Sequence, residues 1–336
     1  MERYTKQILF DRIGEVGQKK LNQSKVVIIG CGALGTVTAN NLTRAGVGYL
    51  KLLDRDYIEL SNLQRQVLFD EEDIREDLPK VAAAIKKLQK INSSITIEGE
   101  VIDVNSRNIL RLCQGMDLII DATDNYSIRY LINDASIRLN IPWIYGGVLG
   151  SVGMTHTIIP GKTPCLRCIF PNIPTIGVAD TCDTIGVLST IINIIASIQT
   201  TEAIKLLVGA KEDLINKLRY FDVWNGNYEE IDIELNDNCA ACKEKKLEFL
   251  DNKIEEAIYL CGKDSVQVSP RTSEVAINHI TSRLKKLGIE IQQNNYFTRF
   301  EVDKVTVTLF YDGRAIMKNI TDAKKAQSLY ARYIGL

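Results

Sequence analysis

Lys25-Val26-Val27-Ile28-Ile29-Gly30-Cys31-Gly32-Ala33-Leu34-Gly35 decides how this chain folds. The β-branched run over 25–29 predicts a buried strand, because such side chains suit a pleated surface. The spacing of Gly30, Gly32 and Gly35 predicts a tight strand-to-helix turn, with a phosphate-bearing ligand at the helix N-terminus. Leu34 to Ala45 reads as that helix, ended by Gly46 and Gly48. Tyr49 to Leu53 reads as a second strand and stops at Asp54. That is roughly 20 residues past the turn, where a βαβ unit sets an acid against ribose hydroxyls. The turn serves NAD, FAD and ATP enzymes alike, and Asp54 favours a ribose without choosing among them.

Outward from this unit, strands over 96–101, 117–121 and 142–145 alternate with helices over 80–91 and 127–139. The pattern predicts an α/β fold with a doubly wound, Rossmann-like, mostly parallel sheet. The character changes after residue 150: a strand over 154–159, a Pro- and Gly-containing stretch around Cys182, an apolar helix within 186–209, and a hairpin joining 220–224 to 228–235. From Asn252 the pattern predicts a small α+β module, so two domains are expected, 1–250 and 253–336.

Bulk properties exclude several classes. The chain has 336 residues, 45% apolar and 25% charged, ordinary for a globular protein. A net charge of -1 argues against a sequence-independent nucleic-acid binder. The apolar run Ile191–Ile198 is too short and too soon interrupted by Gln199, Glu202 and Lys205 to span a membrane, so a core helix is expected. Residues 1–6 lead into no signal-peptide core. Eight cysteines then point to a reducing cytoplasm and to metal or catalytic thiols. With only His156 and His279, little room remains for histidine catalysis.

The charged residues narrow the ligand. Asn62, Arg65 and Gln66 follow Asp54-Arg55-Asp56, and Lys80 opens a helix after Pro79. An arginine and a lysine near a nucleotide suit a triphosphate, whose phosphoryl chemistry needs charge neutralised; the plain alternative is a surface charge pair. Asp124 in Asp121-Ala122-Thr123-Asp124-Asn125 closes a buried strand, placed to hold magnesium or to cap the next helix. The glycine-rich run Gly146–Gly153 would admit an extended tail closely, or be a loop entry to a strand. Cys165/Cys168 and Cys239/Cys242 have the spacing of a four-thiolate zinc site; a redox role would need only one pair. Cys182 is either a sulfur-handling thiol or an inert one.

These residues resemble the ThiF/MoeB/HesA family, bacterial relatives of ubiquitin-activating enzymes. The resemblance rests on Arg3-Tyr4-x-x-Gln7, the Gly30–Gly35 turn, Asp54, Ser61–Gln66, Lys80, Thr123-Asp124-Asn125, Pro164-Cys165-x-x-Cys168, Thr181-Cys182 and Cys239/Cys242, and covers residues 1–245. It implies ATP and Mg2+ as cofactors, a structural Zn2+, and adenylation of the C-terminal glycine of a ubiquitin-like sulfur carrier. A cysteine desulfurase or rhodanese-type protein would then supply sulfur. Asp54 would hold the ribose, aided by Asp56, while Asn62, Arg65, Gln66 and Lys80 would hold phosphates. Asp124 would bind magnesium or steer the adenylate, and Cys182 would meet the carrier. Two departures stand out. Lys6 occupies a position where an arginine often enters the partner subunit's site in a homodimer, and Ala33 replaces a frequent glycine. The resemblance leaves the pathway open between a thiamine-type carrier, slightly favoured on Cys182, and a molybdopterin-type carrier; a peptide-adenylating member is a third option. Outside this class stand an NAD-dependent oxidoreductase with a zinc lobe, which lacks a hydride-transfer acid or base here, and a non-catalytic carrier-binding scaffold.

Overall fold

The computed structural model describes residues 2–171, 185–251, 257–259, 265–269 and 277–335. The chain divides into two compact units, Met1–Asn252 and Lys253–Leu336.

The first unit is built on strands β1 (Lys25–Ile29), β2 (Tyr49–Asp54), β3 (Thr96–Val101), β4 (Leu118–Asp121), β5 (Trp143–Leu149), β6 (Val152–Ile158), β7 (Leu218–Asp222) and β8 (Asn227–Ile231). They form one sheet in the order β3-β2-β1-β4-β5-β6-β7-β8. Pairing is parallel from β3 to β5 and antiparallel from β5 to β8. The chain leaves β1 toward β2 and β3, then returns to the other side of β1 as β4. A crevice therefore opens beyond the C-terminal ends of β1 and β4, where doubly wound sheets bind ligands.

Helices cover both faces: α1 (Thr5–Ile8), α2 (Gly14–Gln23), α3 (Ala33–Ala45), α4 (Glu71–Arg75), α5 (Lys80–Ile91), α6 (Ile109–Cys113), α7 (Tyr126–Leu139), α8 (Leu166–Ile169), α9 (Ser189–Val208) and α10 (Glu248–Asp251). The period-2 alternation of β1 splits the core. Val26 and Ile28 pack with Leu42, Ala84 and Ile195 on one face, and Val27 and Ile29 with Ile132 and Trp143 on the other. Helix α9 is apolar and 20 residues long, but it lies against α3, β5 and β6, with Ile191, Ile192, Ile195 and Ala203 buried. Its Glu202 is buried between Arg219 at 3.0 Å and Lys205 at 2.7 Å, which identifies a core helix.

The glycine-rich run is not a loop. Gly146 lies in β5 and Gly153 in β6, and a Cβ at either would sit 2.4 Å from α9, against Gln199 Nε2 and Ile195 Cγ1 respectively. These two glycines let the chain's own helix close on the sheet, so neither offers room for a tail.

The second unit is an antiparallel sheet of β9 (Ala257–Tyr259), β10 (Ser265–Val268), β11 (Ile291–Gln293), β12 (Phe297–Val302), β13 (Val305–Phe310) and β14 (Ala315–Lys318), ordered β11-β12-β13-β14-β10-β9. Helices α11 (Ile277–Lys286) and α12 (Ala323–Tyr333) pack their apolar stripes on Val266, Phe300, Val307 and Met317.

Candidate active site

The turn after β1 is held by steric necessity. Gly30 has φ +98°, and a Cβ there would lie 2.5 Å from the carbonyl oxygen of Ala122, which follows β4. A Cβ at Gly35 would lie 2.1 Å from the Gly30 carbonyl oxygen. These two glycines bring the turn, α3 and the end of β4 together. Gly32 differs: its nearest neighbour, Gln66 Nε2, is 3.8 Å from where a Cβ would be. No side chain caps α3 at Gly32, so its first N–H groups stay open to an anion. Gln66 is 3% exposed, yet its Oε1 has no hydrogen-bond partner among the described residues. An orphaned amide beside an uncapped helix start fits a polar nucleotide.

Asp54 clamps the turn from β2. One carboxylate oxygen accepts the Cys31 N–H at 2.6 Å and the other accepts the Asp56 N–H at 2.7 Å. Burial raises its pKa, opposed by Lys80 and these two donors. Its remaining lone pairs suit ribose hydroxyls.

Lys80 begins α5 and is buried, its Nζ 3.2 Å from Asp56. Burial pulls its pKa down, but Asp56, Asp54 and Asp124 outweigh this and hold the ammonium charged. The structure thus brings Asp54, Asp56, Lys80 and Asp124 into one electrostatic group. Arg55, which the sequence reading passed over, joins it through Asp103 at 2.9 Å and Asp56 at 3.8 Å. Arg65 is half-buried; its Nη1 donates to the Ser61 carbonyl at 2.8 Å. Among the described residues it makes no ion pair, so its charge is available to a ligand. The Asn62 side chain is partly committed, its Oδ1 accepting the Glu59 N–H at 3.0 Å.

Asp124 is exposed and accepts no hydrogen bond among the described residues. It does not cap α7. Asn125 does, accepting the N–H groups of Ser127 at 2.8 Å and Ile128 at 3.4 Å. An exposed carboxylate of this kind is a donor that magnesium takes alongside phosphate oxygens. Behind it lies Asp121, fully buried, with Arg129 Nε at 3.3 Å. Spacing gave no sign of this pair, since an arginine on a helix ordinarily reads as a surface charge.

Lys6 lies elsewhere. It is exposed on α1, beside Tyr4, whose ring packs where a Cβ on Gly46 would be. Gly46 ends α3, and the turn begins it. The 13-residue helix separates them by about 20 Å, so Lys6 does not reach its own chain's turn.

Cys165, Cys168, Cys239 and Cys242 converge, all four sulfur atoms within 4.8 Å of one another. Sγ separations are 3.8 Å within the first pair, 3.6 Å from Cys165 to Cys239 and 3.6 Å from Cys168 to Cys242. Tetrahedral zinc with bonds of about 2.3 Å needs sulfur atoms about 3.8 Å apart, so the four residues fit the ion. Their shared hydrogen bond pushes the Cys165 thiol up and pulls the Cys168 thiol down. Cys182 lies outside the described residues.

A helix start without a side-chain cap at a sheet's switch point, with Lys80, Asp54, Asp56 and Asp124 in one electrostatic group and four converging cysteines in the same unit, defines an α/β domain suited to a nucleotide. The chain belongs to the ThiF family, whose pattern matches residues 4–241. It is 42% identical over 99% of both chains to the sulfur carrier protein ThiS adenylyltransferase of Bacillus subtilis. It is 34% identical to the sulfur carrier protein adenylyltransferase of Thermus thermophilus, over 72% of this chain and 90% of that one. Among solved structures, Escherichia coli MccB with AMPCPP and selenomethionine MccA aligns with TM-score 0.64 and 26% identity, over 72% of this chain and 74% of MccB.

Proposed function

We propose that this protein is an ATP- and magnesium-dependent adenylyltransferase that activates the C-terminal glycine carboxylate of a ubiquitin-like sulfur carrier of the ThiS type. The observation that carries the reading is the likeness to the Bacillus subtilis enzyme over 99% of both chains, joined to a helix start without a side-chain cap, after a glycine turn that Asp54 holds. Residues 1–250 form the adenylating domain and 253–336 a separate module, at work in the cytoplasm. A homodimer would let Lys6 serve the partner's site, which its distance from its own turn favours.

The chemistry needs no general base. A C-terminal carboxyl with a pKa of about 3.5 is already ionised at neutral pH. One carboxylate oxygen attacks the α-phosphorus in line, a new P–O bond forms, and the bond to pyrophosphate breaks. The difficulty is the approach of two anions. Arg65 and Lys80 offset the repulsion, and the α3 N-terminus holds phosphate oxygens. Asp124 would hold Mg2+, which when bound neutralises phosphate charge. Asp54 fixes the turn and the ribose. Zinc on the four cysteines would be structural, because four protein ligands leave no open position. The acyl-adenylate product is then open to a sulfur donor of the desulfurase or rhodanese type.

The test is carrier-dependent ATP–pyrophosphate exchange, run with the thiamine-type and molybdopterin-type carriers of its own organism. Exchange with the thiamine-type carrier alone supports the reading. Exchange with the molybdopterin-type carrier alone reassigns the pathway, and none with either moves the substrate toward a peptide or small acid.

A further inference from the structure

Arg129 is buried in the first turns of α7, at 6% exposure, and its guanidinium is turned on the segment that precedes Asp124. Nε lies 3.3 Å from Asp121 Oδ2, and Nη2 donates to the Thr123 carbonyl oxygen at 2.7 Å. The other Asp121 oxygen accepts the Thr123 N–H at 3.0 Å and the Thr123 hydroxyl at 2.7 Å. Gln199 holds the Asp121 carbonyl from α9 at 2.8 Å. The guanidinium carbon stands 5.2 Å from the Tyr126 ring centre and 5.5 Å from that of Tyr145, so one ring on α7 and one on β5 fix it in place.

A buried ion pair contributes little net stability, and an apolar side chain of similar length would fasten α7 to β4 as well. What an apolar side chain lacks is a donor for the Thr123 carbonyl, one residue before the exposed carboxylate. We propose that Arg129 is a positioning residue for the adenylation reaction: it locks the Asp121–Asp124 turn so that Asp124 is held out toward the divalent cation beside the nucleotide. This rests on the function proposed above. It assigns the work to geometry rather than to contact with substrate.

The test uses the full chain as Arg129→Met and Arg129→Lys. Mn2+ is titrated in the presence of a non-hydrolysable ATP analogue, and free ion is read by electron paramagnetic resonance. Metal-free analogue affinity, zinc content and melting temperature are measured beside it. Arg129→Met weakens Mn2+ binding about tenfold, Arg129→Lys weakens it less, and metal-free analogue affinity is unchanged. Unchanged Mn2+ affinity, or an equal loss of metal-free analogue affinity, overturns the proposal. Should Arg129→Met fail to fold, Tyr126→Ala removes an exposed ring from the guanidinium; a smaller Mn2+ loss supports the proposal and none overturns it. A wild-type chain that binds neither analogue nor Mn2+ would overturn the function reading itself, and this inference with it.

Discussion

The Lys80 ammonium stands 3.2 Å from the Asp56 carboxylate and takes further stabilisation from Asp54 and Asp124. Burial alone would favour the neutral amine, but the three acids favour the ammonium, so the cation is built into the site. Arg65, which makes no ion pair among the described residues, is the cation proposed to meet the ligand.

The two should therefore fail differently. Arg65→Ala is expected to lower carrier-dependent exchange about 100-fold with no change in melting temperature. Lys80→Met should lose activity and about 2 kcal/mol of stability, a figure discounted because the Asp56 side chain is 45% exposed. Exchange assays and denaturant melts on both variants check this, and equal destabilisation would contradict it.

Gly32 and Gly35 also divide. Gly35→Ala forces a Cβ onto the Gly30 carbonyl oxygen and should unfold the turn, costing about 3 kcal/mol or more. Gly32→Ala meets nothing closer than Gln66, so its cost should fall on ATP affinity and leave stability nearly intact. Calorimetric titration with ATP beside a urea melt separates the two.

Asp134 on α7 carries a pH signature. It is buried, accepts the Phe249 N–H at 2.9 Å, and is pushed up to about 6, chiefly by burial. Its native pKa exceeds the unfolded value of about 3.9, so the folded chain binds the extra proton between the two. Stability from this group therefore rises as pH falls from above 6 toward 4, by about 3 kcal/mol across the window. Asp134→Asn should remove that slope. Melts of both chains from pH 4 to pH 7.5 would show wild type gaining on the variant toward acid, and a constant difference would refute the assignment.

Metal analysis should find one zinc per chain. Cys168→Ser should lose it and lower the melting temperature by about 10 °C. Full metal content in that variant would disprove four-cysteine ligation.

Cys182→Ser tests an expectation drawn from sequence alone. Exchange should persist while any covalent adduct with the carrier disappears in non-reducing gels; an adduct that survives places its sulfur elsewhere.

What could be read before the structure was known follows from how local each signal is. The β1 turn declares itself because sterics demand glycine at Gly30 and Gly35, and the four cysteines because ligand spacing is a property of short segments. Asp121 and Arg129 stayed hidden because their meaning lies in burial, which the sheet and α9 create together. For Asp124 the sequence left a choice between a site acid and a helix cap, and the structure removes only the second: Asn125, one residue on, takes the capping task with a side chain equally suited to it. The glycines at 146 and 153 misled for the same reason, since their crowding comes from α9, far along the chain.

The knuckle has a topological consequence. Cys165 and Cys239 are 74 residues apart and lie 3.6 Å apart at sulfur. With zinc bound, everything between the pairs becomes a closed circuit. A single protease cut between Cys168 and Cys239 would then leave two fragments tied twice, by the metal and by the sheet and helix packing that joins them, so that a strong chelator removes one tie of two. The metal would thus give the chain a second connection across that span, one that a break in the backbone leaves in place.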